Sequence, residues 1–479
     1  MRSVDVAVVG AGTAGLAAYR AARAHTDRVL LLNGGPYGTT CARVGCMPSK
    51  LLIAAADAHH HVDLAPKFGV HVDGSIRVDG RKVMDRVKSE RDRFVGFVLE
   101  SVEDIPAEHR KVGYAHFESP HRLRVDDGTE VEADRIVIAS GSRPTVPPML
   151  EPAKDRILVN DDVFDLDAVP ESAAVFGGGV IGLELAQALH RLGCRVRLFG
   201  RDGRVGPLTD PVVQSEARAI FEGNMPFHSD IKVERVARDG DHVAVTFELD
   251  GQTTTEHFDV ILAATGRRPN LDLIKVENAG VDLDDRGIPR FDPFTMQCGE
   301  SHVFIAGDVD HQLPLLHEAA DEGKIAGDNA GRFPDVRCGL RRSPLSIVFT
   351  DPNIAMVGRT HRELAADIES GRVVTGEIRF EDQGRSRVML MNEGILRVYA
   401  RQGTGEFLGA EMVGPRMEHV AHLLAWSHQA KLTVPAMVDM PFYHPVIEEG
   451  LRTALRMTAK SLKMGLRPPP NCLDLGPGG

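Results

Sequence analysis

Short apolar runs alternate with amphipathic stretches along the first two thirds of the chain. Residues 4–9 read as a buried parallel strand, 16–24 as a helix, and 28–32 as a second strand ending at Asn33. Helical periodicity returns at 51–61 and 83–102. Further strand runs stand at 136–138, 173–176, 195–199, 260–264 and 303–306, with helices at 183–191 and 315–330. Strands alternating with helices predict an α/β fold with parallel sheets. From Pro344 the pattern changes. Strand-like runs at 377–380, 388–391, 394–399 and 406–412 precede helical runs at 418–429 and 434–437, an α+β arrangement with an antiparallel sheet.

Glycines punctuate two of the strand-to-helix junctions. Gly10, Gly12 and Gly15 follow the first strand and open the first helix, which is the dinucleotide fingerprint in its structural context. Gly177, Gly179 and Gly182 repeat it after 173–176. Two fingerprints imply two dinucleotide-binding units, each holding a pyrophosphate at a helix N-terminus. An acid normally ends the second strand to bind ribose. Asn33 stands there instead and can still donate and accept hydrogen bonds.

The segment 38–50 contains Cys41 and Cys46, five positions apart, followed by Lys50. On a helical start with a distorted turn, such a pair is within bridging reach. A helix N-terminus and Lys50 would both favour a thiolate. Two free buried thiols, or half of a zinc site, are the competing readings. Zinc needs further Cys or His partners at motif spacing, and the sequence offers none. Cys194, Cys298, Cys338 and Cys472 are scattered singly. His59, His60 and His61 are adjacent, so they do not share a helix face and read as a solvated cluster; no metal site is expected.

The segment 38–50 resembles the redox-active disulfide of the pyridine nucleotide-disulfide oxidoreductases, the family of dihydrolipoamide dehydrogenase, glutathione reductase and mercuric reductase. The resemblance covers nearly the whole chain. It implies two Rossmann-like domains, for FAD and NAD(P), and a C-terminal α+β dimerisation domain. The boundaries expected are 1–149 and 264–342 for the two parts of the FAD-binding domain, 150–263 for NAD(P), and 343–479 for the interface domain with a C-terminal tail. In the family's terms Cys41 exchanges with substrate and Cys46 contacts the flavin as the charge-transfer thiolate. Thr40 binds FAD phosphate, Lys50 lies near flavin N5, and Glu184 pairs with Lys50. Ser140 and Gly141 close the first half of the FAD domain, Gly266 marks the return to it, and Asp308 meets the ribityl chain. His317 is placed either towards the isoalloxazine or on the helix surface. His444, in a His-Pro pair, would be the general acid-base group, oriented by Glu449 and acting on Cys41 of the other subunit. The resemblance therefore implies an obligate homodimer with shared active sites.

The strand at 195–199 ends at Gly200, where NAD-specific members carry an acid, and Arg201 follows. Arg pairs with a 2′-phosphate, whereas an acid repels it, so the reading leans to NADP(H) over NAD(H). Arg204 lies near, but Pro207 stands where a second phosphate arginine is expected. The overall pattern, Gly182 included, is nearest that of the dihydrolipoamide dehydrogenases. NADPH-dependent reduction of glutathione or another small disulfide is the second reading, and mercuric reduction the third. A low-turnover flavoprotein redox sensor or complex component is the alternative from another class. The substrate expected is a small dithiol or disulfide, or a lipoyl-bearing protein.

Composition narrows the partners. A chain of 479 residues suggests two to four domains, and its formal net charge of -12 argues against nucleic acid. Six cysteines are too sparse for a secreted disulfide scaffold. No apolar stretch reaches 18 residues and no signal segment precedes the first strand, so no membrane is expected and a cytoplasmic location is. Residues 456–479 read as an added tail, with Pro468, Pro469 and Pro470 against a continuous helix.

Overall fold

The computed structural model describes residues 1–464. Pro468, Pro469, Pro470 and Cys472 lie outside the described residues. The first sheet is centred on β1 (Arg2–Val9), which pairs in parallel with β2 (Val29–Asn33) and β6 (Glu130–Ile138). β3 (Arg110–Val112) extends it in parallel beyond β2. β6 divides its partners. Its first half pairs antiparallel with β5 (Arg122–Val125), itself hairpinned to β4 (Ala115–Ser119). Its second half pairs in parallel with β17 (Val303–Ile305). The chain leaves this sheet after β6 and rejoins it at β17.

α1 (Thr13–Ala22) and α8 (Leu316–Arg332) pack together against this sheet. Their backbones approach closely because Gly323 and Gly327 face Ala14 and Ala18, where a Cβ would collide. α2 (Thr40–Val44) is short and is followed at once by α3 (Cys46–Leu64), which packs on α4 (Gly80–Glu103).

The second sheet is parallel throughout, in the order β11 (Phe227–His228), β10 (Arg195–Phe199), β9 (Ser172–Phe176), β15 (Val260–Ala263), β8 (Ile157–Leu158). α5 (Asn160–Val163) follows β8, α6 (Val180–Arg191) follows β9, and α7 (Pro211–Asn224) is capped by Asp210. A three-stranded antiparallel sheet, β12 (Val233–Asp239), β13 (His242–Leu249) and β14 (Gln252–Phe258), covers one face. The Phe199 ring meets those of Phe247 and Phe258 edge-to-face there in a shared core. The crossings between the two units are the antiparallel pair β7 (Ser142–Pro144) and β16 (Arg267–Pro269).

The third sheet is antiparallel: β18 (Leu345–Val348), β19 (Asn353–Gly358), β22 (Phe407–Gly414), β21 (Ile395–Arg401), β20 (Val373–Arg379). α11 (Met417–Gln429) and α13 (Glu448–Ser461) cover it, with α9 (His361–Glu369), α10 (Gly384–Val388) and α12 (Val434–Val438) at its margins. Two fully buried carboxylates dock it to the second unit. Asp210 accepts from Arg397 and from Tyr399 Oη at 2.7 Å. Glu411 accepts from the backbone N–H groups of Asp210 and His361, each at 2.8 Å. Buried charges held by several donors are costly to disturb, so this seam is rigid.

Two sequence expectations are corrected here. Residues 388–391 are not a strand: Val388 ends α10, and the apolar residues beyond it form a turn. Gln383 caps that helix by accepting from Ser386 N–H at 2.7 Å, a local bond that outweighs the apolar run. Residues 456–461 are not tail but the end of α13, continuing the buried stripe of Leu451, Ala454, Leu455 and Thr458.

Candidate active site

A cavity of about 530 Å³ runs from the first glycine turn to the two cysteines, walled by α1, α3, α6, the Gly307–Asp308 turn and β18. At its far end Gly10 has φ +110°, and a Cβ there would strike the Ala139 carbonyl. Gly15 lies so close to the Gly10 carbonyl that no side chain fits. Gly12 faces open space instead, at the N-terminus of α1. Strain and contact are thus confined to the glycines that shape the turn, and a cradle for a pyrophosphate is left clear. Thr40 lines the same cavity. The Asn33 amide is spent on the turn itself, accepting from Ala11 N–H at 3.1 Å and donating to the Gly35 carbonyl.

Cys41 and Cys46 stand as free thiols at the cavity wall. On one unbroken helix, residues five apart point about 140° away from each other. Here the helix is broken. α2 ends at Val44, Gly45 adopts φ -131° and ψ -113°, and α3 begins at Cys46. The break sets Cys41 beside Cys46: a Cβ on Gly45 would lie 3.3 Å from the Cys41 Cα. The neighbouring Cys41 thiol, helped by the Lys50 ammonium and opposed by burial, draws the Cys46 thiol below its ordinary value. The Cys41 thiol is pushed up by Cys46 and by burial. Of the two sulfurs, Cys46 is therefore the one that favours the thiolate.

Lys50 is tied from the other side. Its Nζ lies 2.7 Å from Glu184 Oε2 on α6 and 4.5 Å above the Phe349 ring. The second Glu184 oxygen accepts from Phe349 N–H at 2.9 Å. The Glu184 side chain is 6% exposed, so this is a structured pair spanning three parts of the chain.

Asp308 faces the cavity from the turn after β17, and its Oδ2 accepts from Ser142 Oγ at 2.8 Å. Glu322, missed in the sequence, holds this turn by accepting from Gly307 N–H at 2.8 Å. Arg341 Nη2 balances Glu322 and Glu318, each at 2.9 Å. Beside them burial, with the Glu322 charge, raises the Asp310 carboxyl to about 8. His317 lines the cavity, and its Nε2 makes no hydrogen bond, with Glu318 Oε1 3.8 Å away. Gly141 and Gly266, both with positive φ, border the crossing strands, and Ser140 accepts from Asn270 Nδ2 at 2.9 Å. An open glycine cradle, a carboxylate, a lysine and an orphaned imidazole nitrogen suit a long ligand with a phosphate at one end and a polar ring at the other. FAD is such a ligand.

The second fingerprint repeats the first in geometry. Gly177 and Gly182 are packed against backbone and Gly179 is open. Gly200 follows β10, and a Cβ there would lie 2.7 Å from the Ser229 carbonyl. No carboxylate side chain fits at that position. Arg201 is 88% exposed, and Asp202 is 3.3 Å from it. Arg204 is also exposed, and its carbonyl borders Gly178 in the fingerprint turn.

His444 lies away from this cavity within the chain. Its side chain is 81% exposed, and its Nδ1 is 3.0 and 3.1 Å from the two Glu449 oxygens. Glu449 also accepts from Val446 N–H at 3.3 Å, and the His444 hydrogen bond lowers its carboxyl below the usual range. The pair has the base-and-orienter arrangement, and among the described residues of one chain no nucleophile is hydrogen-bonded to His444.

The three adjacent histidines do not converge: His59 Nδ1 meets the Arg191 carbonyl at 2.7 Å. Among the described residues no group of three or more His, Cys, Asp or Glu is placed to hold a metal, and no helix is long and apolar enough to cross a membrane.

A family model described as pyridine nucleotide-disulphide oxidoreductase matches residues 4–323. A second, for the dimerisation domain of that family, matches residues 345–455. A dihydrolipoyl dehydrogenase of Bacillus subtilis is 31% identical over 466 residues, which is 95% of this chain and 98% of the relative. A dihydrolipoyl dehydrogenase of Haloferax volcanii is 30% identical over 460 residues, covering 94% and 95%. Among solved structures, LpdA from Mycobacterium tuberculosis superposes with a TM-score of 0.78 at 25% identity, covering 95% of this chain and 99% of its own. The HOCl-induced flavoprotein disulfide reductase RclA from Escherichia coli shares the fold, with a TM-score of 0.78 at 23% identity over 95% and 99% of the two chains.

Proposed function

This chain belongs to the pyridine nucleotide-disulphide oxidoreductases and is an FAD-dependent enzyme of their dihydrolipoyl dehydrogenase-like group, and from that premise we propose that it oxidises a dihydrolipoyl dithiol, with NADP(H) as its preferred coenzyme. The observation that carries the reading is the Cys41–Cys46 pair, brought together by the break at Gly45 on the wall of a cavity shaped for FAD.

FAD, when bound, supplies the two-electron relay between nicotinamide and the dithiol. Gly12, Thr40, Gly141 and Asp308, which line the cavity, would hold it, on a turn shaped by Gly10 and Gly15 and with Ser140 adjoining Gly141. The remaining chemistry belongs to the chain. In the oxidised enzyme Cys41 and Cys46 are joined. His444 of the partner subunit takes the proton of one substrate thiol, with Glu449 holding the imidazole. The substrate thiolate attacks the Cys41 sulfur, and Cys46 leaves as a thiolate. A low Cys46 pKa makes it the better leaving group. His444 passes that proton to solvent and takes the proton of the second substrate thiol, whose sulfur then attacks the first. This closes the substrate disulfide and releases the Cys41 thiolate, which is reprotonated. Two electrons now reside in the dithiol. In the opposite direction Cys41 attacks a substrate disulfide and His444 protonates the leaving thiol.

The exposed His444–Glu449 pair in a dimerisation domain supports a homodimer whose sites are shared. The Gly200 collision and the exposed Arg201 and Arg204 support a 2′-phosphate on the coenzyme. They also favour the second reading, in which the enzyme draws on NADPH to reduce a small disulfide. Lipoamide, dihydrolipoamide and glutathione disulfide, each assayed with both coenzymes, decide between the two. Turnover confined to lipoamide and dihydrolipoamide supports the first reading, and turnover confined to glutathione disulfide supports the second.

A further inference from the structure

The break between the two cysteine-bearing helices is held from outside. Val44, the last residue of α2, has a carbonyl with no helical partner beyond Gly45. Asn160 Nδ2, at the start of α5, donates to that carbonyl at 3.0 Å. Asn160 is buried, 7% exposed, and comes from a distant part of the sequence. Its Oδ1 accepts from Arg267 Nη1 at 3.1 Å. The orientation of the amide is fixed by its neighbours: an arginine nitrogen only donates and a backbone carbonyl only accepts, so a flipped Asn160 would lose both bonds.

Arg267 carries the connection onward. Its Nε donates to Ser142 Oγ and its Nη2 to the Ser142 carbonyl, each at 2.8 Å. Ser142 Oγ donates in turn to Asp308 Oδ2 at 2.8 Å. One unbroken series therefore runs from the carboxylate that faces the cavity to the peptide carbonyl between the two cysteines. Its members come from five separate segments, and every donor in it has an acceptor. Its side chains are partly buried, apart from the buried Asn160, and a polar network with its partners in place is rigid.

We propose that Asn160 is a positioning residue for the disulfide step: by holding the Val44 carbonyl in register with Arg267, Ser142 and Asp308, it fixes where the Cys46 sulfur stands relative to the bound flavin. The inference rests on the FAD–dithiol reading above. Asn160 lines the same cavity but hydrogen-bonds neither sulfur, and its bond to the Val44 carbonyl is its link to the helix break.

Asn160 Nδ2 also donates to Asp161 Oδ1 at 2.8 Å. The test is Asn160→Asp, which keeps an acceptor for Arg267 and the side-chain shape but has no N–H for Val44 or Asp161. Asn160→Ala is its companion. Three properties of purified holoenzyme are read: the long-wavelength absorbance after two-electron reduction, NAD(P)H oxidation with ferricyanide, which bypasses the dithiol, and disulfide turnover. Both variants are expected to keep FAD and ferricyanide turnover and to lose at least half of the long-wavelength absorbance. Disulfide turnover is expected to fall about tenfold, as for one lost buried hydrogen bond. Wild-type absorbance and turnover in Asn160→Asp would overturn the inference. So would parallel loss of FAD and ferricyanide turnover, since Asn160 would then serve the fold as a whole. Absence of the band in the wild type would overturn the FAD–dithiol reading itself.

Discussion

Lys50 Nζ stands 2.7 Å from Glu184 Oε2, joining the helix that carries Cys46 to the helix that opens the second nucleotide unit. The two charges act on the Cys46 sulfur in opposite senses: Lys50 lowers its pKa and Glu184 raises it. Glu184→Gln is therefore expected to move the Cys46 titration below about 7, and Lys50→Met to move it above. Following the thiolate absorbance against pH measures both. Shifts in the same direction would show that the pair acts only as a tether.

The Cys41 thiol is the largest single influence lowering the Cys46 pKa. Cys41→Ser keeps an O–H donor and Cys41→Ala removes it. In the oxidised-flavin form of these variants, thiolate absorbance should persist to lower pH in Cys41→Ser than in Cys41→Ala. Identical titrations would contradict the influence of the Cys41 thiol on Cys46.

His444 and Glu449 lie apart from the Cys41 cavity within one chain. Inactive Cys41→Ser protein, mixed and exchanged with inactive His444→Ala protein, forms heterodimers with one intact site. Random pairing predicts recovery of roughly a quarter of wild-type turnover. Verified exchange without recovery would place each site within a single chain.

At the coenzyme site Arg201→Ala is expected to reduce kcat/KM for NADPH by about one to two decades while leaving NADH little changed. Gly200→Glu should not create an NADH enzyme, because its Cβ would press on the Ser229 backbone and displace the end of β11. Thermal unfolding and coenzyme kinetics measure both outcomes. A stable Gly200→Glu protein with strong NADH preference would contradict this account of the site.

Features carried by local pattern were legible in the sequence. The two glycine turns, the cysteine segment and the His-Pro segment each stand in a few consecutive residues, and the resemblance supplied their roles. The structure adds the break at Gly45, which explains how residues five apart meet. The polar network was not legible. Asn160, Arg267 and Ser142 meet through three-dimensional folding, and a single buried Asn after a two-residue strand leaves no periodic signal. Glu322 was hidden for the same reason, as an ordinary-looking helix residue whose partner is a backbone N–H on another element. At 388–391 apolar composition pointed to a strand, and a local side-chain cap decided otherwise.

The central claim is that Cys46 carries the thiolate of the reduced pair beside FAD. Anaerobic addition of two electrons per flavin to the purified enzyme, followed by absorbance across pH, tests it most directly. The expected result is a long-wavelength band that grows as pH rises, with a midpoint below the ordinary thiol value, and is absent in Cys46→Ala. A band of undiminished strength in Cys46→Ala, or no band in the wild type, would contradict it.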